Sequence, residues 1–117
     1  MDMNFKNIDF SKRLQESQMI MKKHPDRIPI ILQKDKRSDL MIIRKKYLFP
    51  KDQTMGEFLA HVRKRVALTP EKALFFFLDN NTMPVLSRIM SDIYKDNKDQ
   101  DGFLYVTYGT EVCFGNF

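Results

Sequence analysis

The chain has 117 residues, of which 43% are hydrophobic and 30% charged, and a net charge of +5. That is one ordinary domain, long enough to bury about two-thirds of its surface without a disulfide or metal. Four glycines and five prolines exclude collagen-like or linker-rich architecture, and the single cysteine, Cys113, excludes an internal disulfide.

Lone-cysteine usage favours a cytosolic or nuclear setting. The first thirty residues lack an apolar h-region, so no secretory signal is expected. The longest uncharged apolar runs, Ile28 to Leu32 and Ala73 to Leu78, are too short to span a bilayer. Residues 1–50 hold twelve Lys/Arg against six Asp/Glu, and residues 51–117 hold eight against nine. A basic front half points to an acidic partner or to a solvated basic face.

Met3 to Asp9 has room for a short turn of helix. Ser11 is a candidate N-cap for a helix reaching about Lys23, which Pro25 ends. Phe10, Leu14 and Met21 share one side of it with Ile20 alongside, while Lys12, Arg13, Lys22 and Lys23 form the wet side. Arg27 to Lys34 reads as a strand with Ile28, Ile30 and Leu32 on one face and Pro29 and Ile31 on the other. Both sets are apolar, so both faces are expected to be covered. Pro29 lacks an N–H and leaves one ladder position without a donor. After a polar turn from Lys34 to Asp39, a second strand is expected from about Met41 to Phe49, stopped by Pro50.

Thr54-Met55-Gly56-Glu57 is a capping box opening a helix. Leu59, Val62 and Val66 are spaced as its buried stripe, with Arg63, Lys64 and Arg65 near its end, where cations suit the dipole. Leu74 to Leu78 is a short strand, and Asp79-Asn80-Asn81 is turn chemistry. Leu86, Ile89, Met90, Ile93 and Tyr94 follow helical spacing. Lys95 to Gly102 reads as a charged loop, Phe103 to Tyr108 as the last strand, and Gly109 to Phe117 as an exposed tail.

A hairpin, a crossing helix and two further strands give an α+β fold, the β-grasp plan of ubiquitin. Its four-stranded mixed sheet carries two extra N-terminal helices. The expected division is a helical extension over 1–24, a ubiquitin-like domain over 25–109 and a flexible tail over 110–117. Ile31, Phe103 and Tyr105 lie on the face that the crossing helix does not cover. Ile20 and Leu14 of the N-terminal helices are the cover expected there.

No catalytic constellation emerges, and no enzyme or cofactor is expected. The glycines form neither a Walker nor a dinucleotide loop. His24, His61 and Cys113 are scattered, and two histidines with one cysteine do not make a typical structural zinc site. Asp96, Asp99 and Asp101 lack the glycine and terminal glutamate of a calcium loop and read as a solvated turn.

Several blocks in order carry a resemblance. Lys23-His24-Pro25-Asp26-Arg27-Ile28-Pro29, Lys45-Lys46-Tyr47-Leu48-Phe49-Pro50, Ala73-Leu74-Phe75-Phe76-Phe77 and Asp101-Gly102-Phe103-Leu104-Tyr105-Val106 resemble segments of the autophagy ubiquitin-like modifiers, the GABARAP and light-chain-type family. Phe114-Gly115 resembles that family's processing site, and the similarity runs from about Phe5 to Gly115.

The resemblance implies that a cysteine protease cuts after Gly115, with Phe114 as its aromatic handle, and removes Asn116-Phe117. Ubiquitin-like activating and conjugating enzymes then join Gly115 to phosphatidylethanolamine, and the cytoplasmic protein moves to an autophagosome or other vesicle membrane. Glycine suits the role because its backbone enters a narrow enzyme channel without a Cβ.

The resemblance also implies a groove for aromatic-x-x-aliphatic peptides of cargo receptors and adaptors. Glu16, Ile20, Pro29, Ile31, Lys46, Leu48 and Phe103 match the aromatic pocket. Tyr47, Phe49, Pro50 and Phe58 match the aliphatic pocket, and Arg27, Arg44, Lys46 and Arg65 match the cations that draw acidic flanks. Singly, Ile20, Ile31, Leu48 and Phe103 read better as core, and Arg27, Arg44 and Arg65 as solvated charges; their joint match to one groove favours the functional reading. Gln53 and His61 stand where the family is usually apolar, and Phe49 is bulkier than usual, implying an aliphatic pocket that is shallower or prefers different side chains. The rival classes are a non-conjugated peptide-binding scaffold and a trafficking or microtubule-associated adaptor; a nucleic-acid partner is not expected.

Overall fold

The computed structural model describes residues 4–41 and 46–111. Its strands are β1 (Arg27–Lys34), β2 (Lys46–Pro50), β3 (Phe75–Leu78) and β4 (Leu104–Gly109). They lie in the order β2-β1-β4-β3. The central pair, β1 and β4, is parallel with Ile30 opposite Leu104, and the two outer pairs are antiparallel. The helices are α1 (Phe10–Lys23), α2 (Met55–Arg63) and α3 (Met90–Asn97), and a 3-10 turn at Phe5–Asn7 precedes α1. This is the mixed sheet and the α+β ubiquitin-like arrangement that the order of elements predicts.

Strand alternation divides the core in two. Ile28, Ile30 and Leu32 of β1 join Leu104, Val106 and Tyr108 of β4 in the larger cluster. Helix α2 adds Met55, Phe58 and Val62, and α3 adds Met90 and Ile93. Ile31, Phe103 and Tyr105 face the other way and form a second cluster with Phe5, against which Ile8 and Ile20 pack. Of the expected cover only Ile20 packs here, since Leu14 falls on the other flank of its helix, and the main wedge is Phe5, whose ring stands edge-on to Phe103 at 5.1 Å.

The capping box opens α2: Thr54 accepts from the Glu57 amide, and the Glu57 carboxylate accepts from the Thr54 amide. The buried stripe is Met55, Phe58 and Val62, continued by Val66, whereas Leu59 is only half-buried. Asn81, with φ of 62°, closes the turn after β3 by donating its amide to the Leu78 carbonyl.

Several boundaries differ from the sequence expectation. The N-cap of α1 is Asp9, not Ser11, and Phe10 is exposed. β2 retains Pro50, and Met41 lies outside it, exposed. Pro50 is tolerated because the Lys51 amide donates to the Asp26 carbonyl, which sets the hydrogen-bonded pairs at 28/49 and 30/47. Pro50, one position off that parity, aims its nitrogen away from β1 and forfeits no ladder bond.

The third helix starts at Met90, leaving Leu86 and Ile89 exposed instead of on its buried face. The chain there runs beside the start of α2, where the Leu86 and Arg88 carbonyls accept from the Gly56 and Met55 amides. Those carbonyls satisfy orphan donors of α2, a use that competes with continuing α3 backwards. At the other end, Gly109 belongs to β4 and Thr110 is buried, so neither is exposed as expected, and residues 112–117 lie outside the described residues.

Replacing Phe5 with alanine is expected to cost about 3 kcal/mol in urea unfolding. Phe10→Ala is expected to change stability by no more than about 0.5 kcal/mol. Equal losses for the two would show that the second cluster does not depend on Phe5.

Candidate functional site

β2 is an edge strand, and the parity set by Lys51 and Asp26 turns the Leu48 amide and carbonyl outward from the sheet. Exposed Arg27 reaches that carbonyl with its guanidinium, Nη1 to O 3.4 Å. Lys46, Leu48 and Pro50 alternate onto the face toward α1, opposite Ile31, Pro29 and Arg27. Tyr47 and Phe49 alternate onto the α2 face.

Of the residues matched to the aromatic pocket, Ile20, Ile31 and Phe103 meet in the second cluster. Pro29 is buried opposite half-buried Leu48. Lys46 Nζ donates to Glu16 Oε2 at 2.8 Å and lies 5.0 Å from the centre of the Phe5 ring. With Ile31 at 0% and Phe103 at 1% exposure, this site is closed by the Lys46–Glu16 pair and Phe5. The pair is itself about half in solvent, and such pairs contribute at most about 1 kcal/mol, so separating it is cheap.

Of the residues matched to the aliphatic pocket, Phe58 is fully buried in the main core. Tyr47 and Phe49 stack edge-on against it at 5.6 and 5.0 Å. The His61 ring lies 5.7 Å from Tyr47 and 6.0 Å from Phe49. The Tyr47 hydroxyl is buried and has no hydrogen-bond partner among the described residues. Pro50 falls on the opposite face from Tyr47 and Phe49. Arg65 is exposed beyond the end of α2. Arg44, Phe114 and Gly115 lie outside the described residues, as do Cys113, Asn116 and Phe117.

A group that sequence reasoning misses holds α1 in place. Asp101 does not sit in a solvated turn: its exposure is 0%. Its carboxylate accepts from Arg13 Nη1 at 2.6 Å, from the Phe103 amide at 2.9 Å and from the Tyr105 hydroxyl. Its carbonyl accepts from Ser17 Oγ at 2.5 Å, and Arg13 Nε also donates to the Ile8 carbonyl. Burial, together with the hydrogen bond to Asp101, pushes the Tyr105 hydroxyl well above the ordinary phenol range, so it remains a donor. Burial opposes ionisation of Asp99, yet the Asp101 amide and Lys6 hold its carboxyl below the usual range. Arg13 and Asp101 stand 88 positions apart, a separation that no local pattern reports. Aspartate in the run Asp99 to Gly102 looks like loop chemistry until the contact is formed.

Among the described residues no group of three or more His, Cys, Asp and Glu side chains is placed to hold a metal ion. None of the described helices is long and apolar enough to cross a membrane.

Residues 12–115 match the family described as "Autophagy protein Atg8 ubiquitin like". This chain belongs to the Atg8 family. It is 49% identical over 110 residues to Autophagy-related protein 8 of Schizosaccharomyces pombe, covering 93% of this chain and 90% of that one. It is also 49% identical over 108 residues to Autophagy-related protein 8e of Arabidopsis thaliana, covering 92% and 88%. The crystal structure of Trypanosoma brucei ATG8 superposes with a TM-score of 0.85 at 41% identity, covering 95% of this chain and 97% of that one. As an Atg8 family member the chain is an autophagy ubiquitin-like modifier.

Tyr47→Phe removes a buried hydroxyl that no described residue bonds, so it is expected to be neutral or stabilising by about 1 kcal/mol. Urea denaturation checks this; a loss of similar size would reveal a partner for the hydroxyl.

Proposed function

We propose that this Atg8 family member is joined through Gly115 to phosphatidylethanolamine on autophagosomal or other vesicle membranes, and that it captures cargo receptors and adaptors along the β2 edge. The observation that carries the second half is the outward-turned Leu48 amide and carbonyl on an edge strand. An extended peptide adds to such an edge as a further strand, using its own backbone for affinity and its alternate side chains for specificity.

The aromatic side chain of the motif enters between α1 and β2, where Ile20, Ile31, Leu48 and Phe103 supply apolar surface. Opening that site needs the half-exposed Lys46–Glu16 pair to part and the Phe5 ring to shift off Phe103. The aliphatic side chain meets Tyr47 and Phe49, with half-buried Gln53 and His61 beside it. Arg27, Arg44, Lys46 and Arg65 draw acidic flanks, which speeds encounter more than it deepens affinity.

The first half rests on family membership and on Phe114-Gly115 near the end of the matched region. A processing cysteine protease hydrolyses the Gly115–Asn116 amide. Activating enzymes of the ubiquitin-like type convert the Gly115 carboxylate with ATP to an enzyme thioester, and the headgroup amine displaces the conjugating enzyme's thiol to form the amide. Two acyl chains of the lipid suffice for stable anchoring without an apolar span.

Gly115→Ala is expected to keep Asn116 and Phe117 in the intact mass and to abolish retention on cell membranes. Retention equal to wild type overturns conjugation through this glycine. Leu48→Ala combined with Lys46→Glu is expected to weaken an acid-flanked aromatic-x-x-aliphatic peptide about tenfold or more by calorimetry. An unchanged titration removes the groove. Loss of peptide binding in the groove variant, beside wild-type localisation of Gly115→Ala, favours the non-conjugated scaffold.

A further inference from the structure

The two flanks of α1 are unequal in what they meet. One flank carries Glu16 and Ile20 against Lys46 and the second core cluster. The other flank lines a cleft of about 1010 Å³, whose far wall is Tyr94 of α3 and the turn from Lys98 to Gly102. Of the fourteen residues of α1 only Ser17 is buried. Leu14 and Met21 are half-buried on the cleft, and Met19, also on it, is 56% exposed.

The walls of this cleft are fixed. Ser17 Oγ donates to the Asp101 carbonyl at 2.5 Å, and the Tyr94 hydroxyl donates to the Gly102 carbonyl at 2.7 Å. Gly102 has φ of +89°, and a Cβ there would collide with the Ser17 side chain, so α1 and the turn meet as closely as backbone allows. A partner therefore finds a formed cleft and loses little in ordering it.

Its rim carries two lysines and one aspartate. Lys22 rims the α1 wall and Lys98 the far wall, and neither has an ion pair among the described residues. Lys98 Nζ rests 5.4 Å from the centre of the Tyr94 ring. The acid on the rim, Asp99, is engaged by Lys6 at 3.5 Å and by the Asp101 amide.

We propose that this cleft is a second docking surface, distinct from the β2 edge, for an acidic amphipathic helix of a partner protein. An apolar trough walled by a helix, with two methionines that repack around varied shapes, fits helix-in-groove recognition. Glutamates on the flanks of the bound helix complement Lys22 and Lys98. The proposal stands whether or not the β2 edge binds peptides.

The probe is an acetylated peptide about four helical turns long, with Leu and Met at i, i+3, i+4 and i+7 and Glu elsewhere. A lysine-for-glutamate copy is the control. Titration into the full chain, followed by amide chemical shifts, is expected to perturb Leu14, Met21, Tyr94 and Gly102 saturably. Lys22→Glu with Lys98→Glu is expected to weaken the Glu peptide about tenfold and to admit the Lys peptide. An aromatic-x-x-aliphatic peptide is expected not to displace the probe. The proposal fails if no saturable binding appears, if the shifts fall on Lys46 to Pro50, or if the double reversal leaves affinity unchanged. It also fails if the peptide does not bind while the reversal abolishes binding to phosphatidylcholine–phosphatidylserine vesicles, which would assign the lysines to an anionic membrane.

Discussion

The Asp101 carboxylate governs how the rest of the molecule is put together. A charge with no exposure must be met on all sides, because leaving it unpaired is far more costly than forming the pair is beneficial. Here Arg13 arrives from α1, Tyr105 from β4 and the Phe103 amide from the strand entry, while the same residue's carbonyl takes the Ser17 hydroxyl. A fully satisfied buried network of this kind rigidifies its members. It fastens the N-terminal helix to the sheet beside the partial apolar burial of Leu14, Ile20 and Met21, none of which is fully buried.

That choice of glue has a consequence on each side of α1. Toward β2, the helix closes the second cluster with a half-exposed ion pair, Lys46 to Glu16, laid over Phe5. Toward α3, it leaves a formed trough. A helix sealed by leucines would have neither feature. The polar lock sits between the two flanks and leaves them available, with the apolar residues of α1 only partly committed to the interior.

Much of this is legible in the linear chain, for local reasons. Strand β1 spans the residues that alternation marks, because its two apolar sets really do face two cores. The α2 start follows from Thr54 and Glu57, whose reciprocal hydrogen bonds need only three residues of separation. The apolar back face of Ile31, Phe103 and Tyr105 calls for a cover, and the N-terminal segment provides it. What stays hidden is non-local. Leu86 and Ile89 have helical spacing, yet their stretch of chain is taken by the start of α2. Phe5 has no periodic neighbours to mark it as core, and Asp101 looks like a loop aspartate until Arg13 is folded onto it. Among the matched groove residues, Phe58 shows how a pocket residue and a core residue are the same in sequence, and only its full burial tells them apart.

By itself the amino-acid order determined the α+β class, the strand and helix sequence, the absence of an internal disulfide and the family blocks from which membership follows. Those are set by short-range periodicity, capping and turn chemistry, and by motif identity, all of which reside in neighbouring residues. Tertiary structure alone decided that an aspartate becomes the anchor of α1, that Pro50 can remain in an edge strand because its nitrogen points outward, and that the apolar residues on both flanks of α1 stay partly exposed. Each depends on which groups meet across the sheet, and desolvation assigns their roles only when that meeting happens.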